Sequence, residues 1–222
     1  MCTVGCIMFG VRNLTPNEVA GKNIIEIGAC EVNGSLRPIL ESYGPASYVG
    51  VDISEGTGVD VVCDAEKLLE RFEKERFDIV LSTELIEHTR NWRRVLSNMK
   101  NLCAPGGTIL ITTRSRGFHY HAYPHDYWRY ELEDMGEIFS DCEIVSLAKD
   151  PGDPGVFLKA RKPGDFVEKD LSGIRLYNIV SDRRALEVTD GDFQSGHFRR
   201  MMRKRKRREL RKRVRDALRN LF

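Results

Sequence analysis

The fold is decided by one stretch near the N-terminus, Ile24-Ile25-Glu26-Ile27-Gly28-Ala29-Cys30-Glu31-Val32-Asn33-Gly34. Its β-branched start predicts a buried strand, and Gly28 predicts the turn at which that strand ends. A strand followed by a glycine-containing loop and a helix is the generic nucleotide-binding arrangement, because small residues let the backbone approach a ligand. Cys30 occupies the usual position of the second glycine, so this stretch alone would suit a dinucleotide dehydrogenase almost as well.

Short apolar runs alternate with helical patterns up to about residue 160. Such runs are typical of parallel strands covered on both faces, and the alternation predicts a doubly wound sheet. Two later runs, 142–147 and 156–160, are joined by a connector too short for a crossover helix, which predicts an antiparallel hairpin. The expected fold is α/β, a doubly wound seven-stranded mostly parallel sheet with a C-terminal antiparallel hairpin, plus a C-terminal basic helical extension. The predicted strands are 23–27, 48–52, 59–63, 77–82 and 108–113. One short helix is predicted to begin at Thr15, and three others are predicted over 36–43, 65–74 and 92–102. The last of these is expected to be ended by Pro105-Gly106-Gly107.

Two acidic residues follow predicted strands and could bind a nucleoside. Asp52 ends the second strand, where a carboxylate can accept hydrogen bonds from both ribose hydroxyls of either cofactor class. Asp64 ends the third strand, where its carboxylate can accept a hydrogen bond from the exocyclic amine of an adenine. Asp64 could equally be a helix N-cap, and the two roles are compatible.

Five motifs follow in order at 26–29, 50–52, 64–65, 77–88 and 102–108. Together they resemble the successive motifs of class I S-adenosylmethionine-dependent methyltransferases, over about residues 15–162. That family also has the terminal hairpin, which a dehydrogenase would lack. The resemblance implies S-adenosylmethionine as cofactor, with Glu26 and the Gly28 loop near its methionine part, Asp52 on the ribose, Ile53 against the adenine and Asp64 on the adenine amine. The residues expected at the cofactor are Glu26, Gly28, Ala29, Cys30, Asp52, Ile53, Asp64, Ala65, Thr83 and Glu84.

The expected loop after the fifth strand, residues 118–130, contains three histidines, four tyrosines, a tryptophan and an arginine. Loops at the carboxyl ends of parallel strands border the ligand, so this loop is predicted to cover the substrate. A sulfonium is already an activated methyl donor, so the protein mainly has to align the acceptor and exclude water. A hydroxyl acceptor also benefits from a base. The candidate bases are His119, His121 and His125 in the loop, with His88 after the fourth strand as their rival.

Substrate contacts are expected from the remaining polar and aromatic residues of the loop. The alternatives are that Tyr127 and Trp128 pack on the core and that Arg129 pairs with Glu131 or Asp134, while His88 could stabilise a helix start. Methyltransferases with a similar tyrosine-proline and Asp-Tyr-Trp-Arg stretch are often enzymes of glycan or small-molecule methylation, which makes a sugar hydroxyl a plausible acceptor. The predicted substrate residues are Tyr120, Tyr123, Tyr127, Trp128 and Arg129.

The charge of the chain is divided unequally. Residues 198–222 contain thirteen Lys or Arg and two acids, whereas the rest has 22 basic and 31 acidic residues. This tail also carries a helical apolar stripe of Leu210, Val214, Ala217, Leu218 and Leu221. Such a helix can bind an anionic membrane surface or nucleic acid, pack on a partner, or remain solvated. The leading hypothesis is a methyltransferase that acts on a small-molecule or glycan hydroxyl. An RNA-modifying methyltransferase that uses the tail is the second hypothesis, and an inactive cofactor-binding scaffold is the third.

We expect three parts: a class I methyltransferase domain over 1–163, an extension or linker over 164–195 in which 174–180 could add a strand, and a basic amphipathic helical tail over 196–222. The six cysteines are scattered without a CxxC pair, so they predict no metal site. No signal peptide or membrane-spanning run is evident. The expected location is the cytoplasm, with peripheral attachment to a membrane as an option for the tail, and the oligomeric state stays open.

Overall fold

The computed structural model describes residues 3–122 and 124–219, except the side chains of 212–214 and 216–219. The strands of this part are β1 Asn23–Ile27, β2 Ser47–Asp52, β3 Val61–Val62, β4 Phe77–Thr83, β5 Cys103–Arg114, β6 Trp128–Arg129, β7 Glu143–Lys149, β8 Gly155–Arg161, β9 Leu176–Asn178 and β10 Arg183–Ala185. The helices are α1 Val4–Asn13, α2 Pro16–Val19, α3 Arg37–Ser42, α4 Leu68–Arg71, α5 Trp92–Leu102, α6 Leu132–Ile138 and α7 Gly196–Arg219.

The main sheet has seven strands in the order β3-β2-β1-β4-β5-β8-β7. Strands β1 to β5 are parallel, and β8 runs antiparallel to both of its neighbours, β5 and β7. The predicted mostly parallel sheet with its terminal hairpin is confirmed. The strand order reverses at β1, which lies between β2 and β4, and ligands of open α/β sheets bind at such a reversal.

Successive residues of β1 pack on opposite faces of the sheet, because side chains alternate along a strand. Ile24 lies in a core cluster with Phe9 of α1 and Leu40 of α3. Ile25 lies in the other cluster, with Trp92 of α5 and Met135 of α6. Burying each of these side chains contributes roughly 1.5–3 kcal/mol, so both faces of the sheet stabilise the strand that carries the Gly28 loop.

The helices differ from the prediction in two places. Helix α1 was not predicted, because no charged residue before Arg12 marks a solvent face and the helical period is hidden. The helix expected over 65–74 is a 3₁₀ turn, Ala65–Lys67, followed by the four-residue α4. The chain leaves it at Phe72, whose ring packs 5.6 Å from that of Phe77. Helix α5 has its predicted bounds, Trp92–Leu102, and 105–107 belongs to β5.

Residues 164–195 pack on the main domain. Strand β9, inside the segment 174–180, pairs with β6 and β10 in a second, antiparallel sheet. Arg93 of α5 reaches the same segment and donates hydrogen bonds to the carbonyls of Leu171, Ile174 and Leu186, at 2.8, 2.6 and 2.8 Å. The second sheet is therefore tied to the helix that covers the main one.

Helix α7 begins beside the loop that follows β5. The ring of Phe198 lies 5.2 Å from that of Phe193 and 5.7 Å from that of Tyr120. Leu210 is 63% exposed, and the other residues of the predicted apolar stripe, Val214, Ala217, Leu218 and Leu221, lie outside the described side chains. Within the described residues, no helix combines the length and the apolar character that crossing a membrane requires.

Candidate functional site

The chain leaves the sheet at Gly28 in a left-handed conformation, with φ at 84°. A Cβ there would lie 3.0 Å from the Cβ of Leu85, so the position requires glycine for both its φ and its close approach. The amides of Gly28 and Ala29 donate to the carbonyl of Val51 at 2.8 and 3.0 Å. These bonds hold the loop after β1 against the end of β2, beside the start of the loop after β4.

Asp52 is fixed at the end of β2 by backbone amides. Its Oδ2 accepts a hydrogen bond from the Cys30 amide at 3.1 Å, and its Oδ1 accepts one from the Ser54 amide at 3.3 Å. The carboxylate is half-buried, and the adjacent Ile53 is 64% exposed. Each carboxylate oxygen has a second lone pair, so Asp52 can still accept two hydroxyl hydrogen bonds next to an apolar surface.

Cys30 fits in the loop because glycines face it. A Cβ on Gly56 would lie 2.6 Å from the Cys30 Sγ, so the sulfur occupies the space that a side chain at 56 would need. A Cβ on Gly50 would lie 1.9 Å from the carbonyl oxygen of Gly58, which packs the loop over 53–58 onto β2. The neighbouring loop thus accommodates a cysteine at position 30, where a glycine is usual.

Asp64 is a helix N-cap, the alternative role expected for it from the sequence. Its Oδ1 accepts a hydrogen bond from the Glu66 amide at 2.9 Å at the start of the 3₁₀ turn that includes Ala65. Its Oδ2 takes part in no hydrogen bond among the described residues. Asp64 and Ala65 are both half-buried, so the cap leaves one oxygen for a ligand.

Glu26 lies below the loop, and the whole residue is only 3% exposed. Its Oε2 accepts a hydrogen bond from the Tyr48 hydroxyl at 2.7 Å. Burial raises the pKa of Glu26 from its usual 4.5 to about 7, although the bond from Tyr48 and the charge of Arg37 act in the opposite direction. Glu26 is therefore poised to gain its charge near neutral pH, which a nearby cation would favour.

Thr83 and Glu84, at the end of β4, are both buried. Glu84 has φ at 55°, a conformation that non-glycine residues adopt rarely and that often marks a functional position. Its carboxylate pairs with Arg114 and accepts a hydrogen bond from the Cys6 Sγ at 3.5 Å. Arg114 also lies 3.3 Å from Asp150. These contacts place Glu84 under α1, in a buried ion-pair network.

On the acceptor side, the structure brings His88 and His121 together around Glu87. Glu87 is fully buried, and its Oε2 accepts a hydrogen bond from the Thr113 hydroxyl at 2.9 Å. Its Oε1 lies 3.9 Å from the His88 Nε2 and 3.7 Å from the His121 Nε2. Burial alone would raise the pKa of Glu87, but the adjacent His121 and His88 lower it to about 2. The cluster is thus a carboxylate facing two imidazoles.

Two neighbours orient the histidine rings. The His88 Nδ1 lies 2.6 Å from the His125 carbonyl oxygen, and the His121 Nδ1 lies 3.0 Å from the Asp126 Oδ2. A carbonyl oxygen only accepts hydrogen bonds, so the His88 Nδ1 carries the proton and the lone pair of its neutral ring is at Nε2, on the side of Glu87. The contact between His121 and Asp126 is electrostatic, and neither ring nitrogen of His121 takes part in a hydrogen bond among the described residues.

The other loop residues border this cluster: the His119 ring lies 6.2 Å from that of His121, and the His125 carbonyl contacts His88. His119 and His125 are exposed; His119 stacks on Phe118 at 4.6 Å, and Tyr120 packs against α7. Tyr127 and Trp128 belong to the main core cluster, with 7% and 0% exposure, which favours the alternative that they pack on the core. Tyr123 lies outside the described residues.

Arg129 pairs with neither of its expected partners, Glu131 and Asp134. It is buried and binds Asp126 in a bidentate pair, at 2.6 and 2.8 Å, and it also donates to the carbonyl of His119 at 3.1 Å. Glu131 and Asp134 instead form the capping box of α6. Arg129 therefore fastens the loop on which His121 lies.

Three participants in the cluster were not predicted from the sequence: Glu87, Thr113 and Asp126. The only local signal for Glu87 is its position beside His88 after a strand. Asp126 is five residues from His121, but their contact depends on how the loop folds back on itself. The convergence of 87, 113 and 121 is a consequence of the sheet, since it joins the ends of β4 and β5.

A family model described as a methyltransferase domain matches residues 8–152. A phthiotriol/phenolphthiotriol dimycocerosates methyltransferase of Mycobacterium tuberculosis is 31% identical over 172 residues, which cover 72% of this chain and 60% of the relative. A ubiquinone biosynthesis O-methyltransferase of Coxiella burnetii is 28% identical over 116 residues, which cover 46% of this chain and 48% of that protein. The chain thus spans only about half to three-fifths of the length of these curated relatives.

A solved structure shares the fold. The 1,6-didemethyltoxoflavin-N1-methyltransferase of Burkholderia thailandensis, with 1,6-didemethyltoxoflavin and S-adenosylhomocysteine bound, matches with a TM-score of 0.60. The sequence identity is 15%, and the match covers 72% of this chain and 79% of that one. The strand order, the motifs and the family match agree with the resemblance found in the sequence: the chain belongs to the methyltransferase domain family and has its class I, Rossmann-like fold.

Proposed function

We propose that this chain binds S-adenosylmethionine at the loop after β1 and transfers the methyl group to a hydroxyl of a small molecule or glycan. The observation that carries the proposal is the position of Asp52. It ends β2 beside the Gly28 turn, and two amides hold its carboxylate at the edge where the strand order reverses. In a member of a methyltransferase family, this is the place for the ribose of the cofactor.

The residues at this edge fit the cofactor. Gly28 lets the chain turn at this edge in close contact with Leu85, and Ile53 offers exposed apolar surface next to Asp52. Asp64 keeps one carboxylate oxygen that takes part in no hydrogen bond among the described residues. Asp52 would hold the ribose, Ile53 would pack on the adenine, and Asp64 would accept a hydrogen bond from the adenine amine.

When bound, S-adenosylmethionine supplies a methyl group that is already activated by the positive charge of its sulfonium. Glu26 contributes a carboxylate whose charge is favoured by a nearby ammonium group, as in the methionine part of the cofactor. The remaining task of the protein is to align the acceptor and to exclude water.

The acceptor is proposed to lie at Glu87, His88 and His121. His121 Nε2 is the candidate proton acceptor, because it lies 3.7 Å from the Glu87 carboxylate while the other ring nitrogen lies 3.0 Å from Asp126. His119 and His125 are exposed, which favours His121 and His88 over them. An oxygen acceptor is supported by the name of the Coxiella relative, an O-methyltransferase.

The cofactor assignment is tested by calorimetric titration with S-adenosylhomocysteine. The Asp52→Ala variant should bind at least tenfold more weakly than the unchanged protein, because the ribose hydroxyls lose their acceptor. Asp165→Ala, which removes an exposed carboxylate far along the chain, is the matched control and should bind normally. Equal affinity of Asp52→Ala and the control would contradict the ribose assignment.

A second candidate is methylation of RNA, favoured by the position of α7. Its first turn packs on Tyr120 of the acceptor loop, and the Arg205 guanidinium lies 5.7 Å from the Tyr120 ring. The basic helix thus starts beside the proposed acceptor site, where it could hold a polyanion. The same charges would also attract the anionic headgroups of a membrane.

This candidate is tested by the anisotropy of a labelled single-stranded RNA at several salt concentrations. If RNA is the acceptor, affinity should fall steeply with salt, and Arg203→Glu with Arg207→Glu should flatten that dependence. Binding to anionic vesicles without RNA binding would point to a membrane instead. Absence of both would leave the small-molecule proposal alone.

A further inference from the structure

The cluster of Glu87, His88 and His121 has the composition and spacing of a metal site. Three ligand atoms, one from each side chain, lie within 4.8 Å of one another. Glu87 Oε1 is 3.7 Å from one imidazole nitrogen and 3.9 Å from the other. Ligands bound about 2.0–2.2 Å from a tetrahedral ion lie about 3.3–3.6 Å apart, so small movements of the three side chains would close the site.

An independent observation is the unpartnered oxygen of Glu87. The residue is fully buried, and Oε1 takes part in no hydrogen bond among the described residues. Its sister oxygen is satisfied by the Thr113 hydroxyl. A buried carboxylate oxygen without a hydrogen-bond donor is costly, so the position calls for a cation or a donor that the described residues do not supply.

The surroundings of the two histidines are those of metal ligands. The His88 Nδ1 donates to the His125 carbonyl, and the His121 Nδ1 lies 3.0 Å from the Asp126 carboxylate. Metal-binding histidines almost always have such a partner on the other nitrogen, because it fixes the tautomer and orients the ring. Asp126 is itself held by Arg129 at 2.6 and 2.8 Å.

These arrangements place two imidazole nitrogens and a carboxylate oxygen close to one another. Without a positive charge between them, the three groups repel. A proton on His121 could supply that charge, but it would serve only one of the two Nε2 atoms. A divalent ion would bind both nitrogens and the oxygen together.

We propose that Glu87, His88 and His121 bind one divalent transition-metal ion through Glu87 Oε1 and the two Nε2 atoms. Two imidazoles with one carboxylate suit Zn²⁺ and similar ions, whereas Mg²⁺ and Ca²⁺ prefer oxygen ligands. The sequence was expected to hold no metal site, and this proposal departs from that expectation.

The role of the ion rests on the proposed function and replaces the base proposed there, because His121 Nε2 would then be a metal ligand. Three protein ligands leave coordination positions for an oxygen of the acceptor. A bound hydroxyl loses its proton more readily, and that proton would pass to solvent water because the His121 Nε2 is then occupied by the metal. The acceptor oxygen would be held at the end of β4, next to the loop that follows β1.

The test is the metal content of the full chain after removal of metals with EDTA and dialysis against Zn²⁺. The expected result is one equivalent of zinc per chain, with the affinity at least tenfold lower in His88→Ala and in His121→Ala. His119→Ala removes an exposed histidine of the same loop and is the matched control; it should bind zinc normally. Thermal melting followed by circular dichroism checks that each variant is folded.

Zinc binding that is equal in folded His88→Ala, His121→Ala and His119→Ala proteins would overturn the proposal, as would a metal-stripped protein that takes up no zinc. If a proton on His121 supplies the positive charge in place of a metal, the metal-stripped protein will take up no zinc. Titration of the metal-stripped protein with S-adenosylhomocysteine tests the cofactor site separately. Cofactor binding without zinc binding would reject only the metal, and zinc binding without cofactor binding would reject only the proposed function.

Discussion

Replacing Glu26 by glutamine is expected to stabilise the cofactor-free protein at alkaline pH and to weaken cofactor binding. Glutamine has nearly the same shape, and its amide oxygen can still accept the hydrogen bond from the Tyr48 hydroxyl, 2.7 Å away in the unchanged protein. The substitution therefore removes a buried ionisable group without creating a cavity. Glu26 is 3% exposed, so solvent screens this effect little.

The size of the effect follows from the pKa of Glu26, which burial raises from 4.5 to about 7. Because the pKa in the folded state lies above that in the unfolded chain, the stability of the unchanged protein is fully present below pH 4.5 and falls as the pH rises to 7. One pKa unit corresponds to about 1.4 kcal/mol, so the loss reaches about 3 kcal/mol at pH 8 and stays below about 1 kcal/mol at pH 5.

Thermal melting at a series of pH values measures this difference. Glu26→Gln should melt about 6–12 °C above the unchanged protein at pH 8 and within about 3 °C of it at pH 5. In calorimetry, affinity for S-adenosylhomocysteine should rise with pH through 7 in the unchanged protein only. Identical melting temperatures at both pH values would refute the reasoning, because the carboxyl group would then not be desolvated.

Two further substitutions test the packing around the site. Gly50→Ala would place a Cβ 1.9 Å from the Gly58 carbonyl oxygen and should cost about 1–3 kcal/mol in urea denaturation, whereas Gly164→Ala, with no atom within 4 Å of its Cβ, should change little. If Gly50→Ala were neutral, the loop would not be packed on β2. Arg129→Gln leaves the buried Asp126 carboxylate without its bidentate partner and should cost about 3–5 kcal/mol in the same assay. A loss under about 1 kcal/mol would mean that the pair is solvated.

The parts of the fold that the sequence predicted are those with strong local signals. Strand β1 and helix α5 lie at the predicted residues, because a β-branched run ended by glycine and a helical apolar stripe each specify one structure. Helix α1 has no polar face that marks its period. The helix expected over 65–74 ends early because the chain turns at Phe72, whose ring packs on Phe77 of β4. The helical pattern of the sequence does not encode that contact.

The candidate site shows the same division. Residues at the ends of strands, such as Gly28 and Asp52, could be placed from the sequence because parallel strands end at one edge of a sheet. The aromatic and histidine content of 118–130 drew attention to that loop, but composition did not distinguish the buried Trp128 from the exposed His119. The environment of Glu87 depends on contacts across 26 and 34 residues of sequence, which no local pattern encodes.

The central claim is that the edge at Gly28 and Asp52 holds S-adenosylmethionine. It is tested most directly by calorimetric titration of the full chain with S-adenosylmethionine and, separately, with NAD, whose ribose Asp52 could also bind. The account predicts saturable binding of one S-adenosylmethionine per chain and no heat of binding with NAD. Saturable binding of NAD together with no binding of S-adenosylmethionine would contradict it.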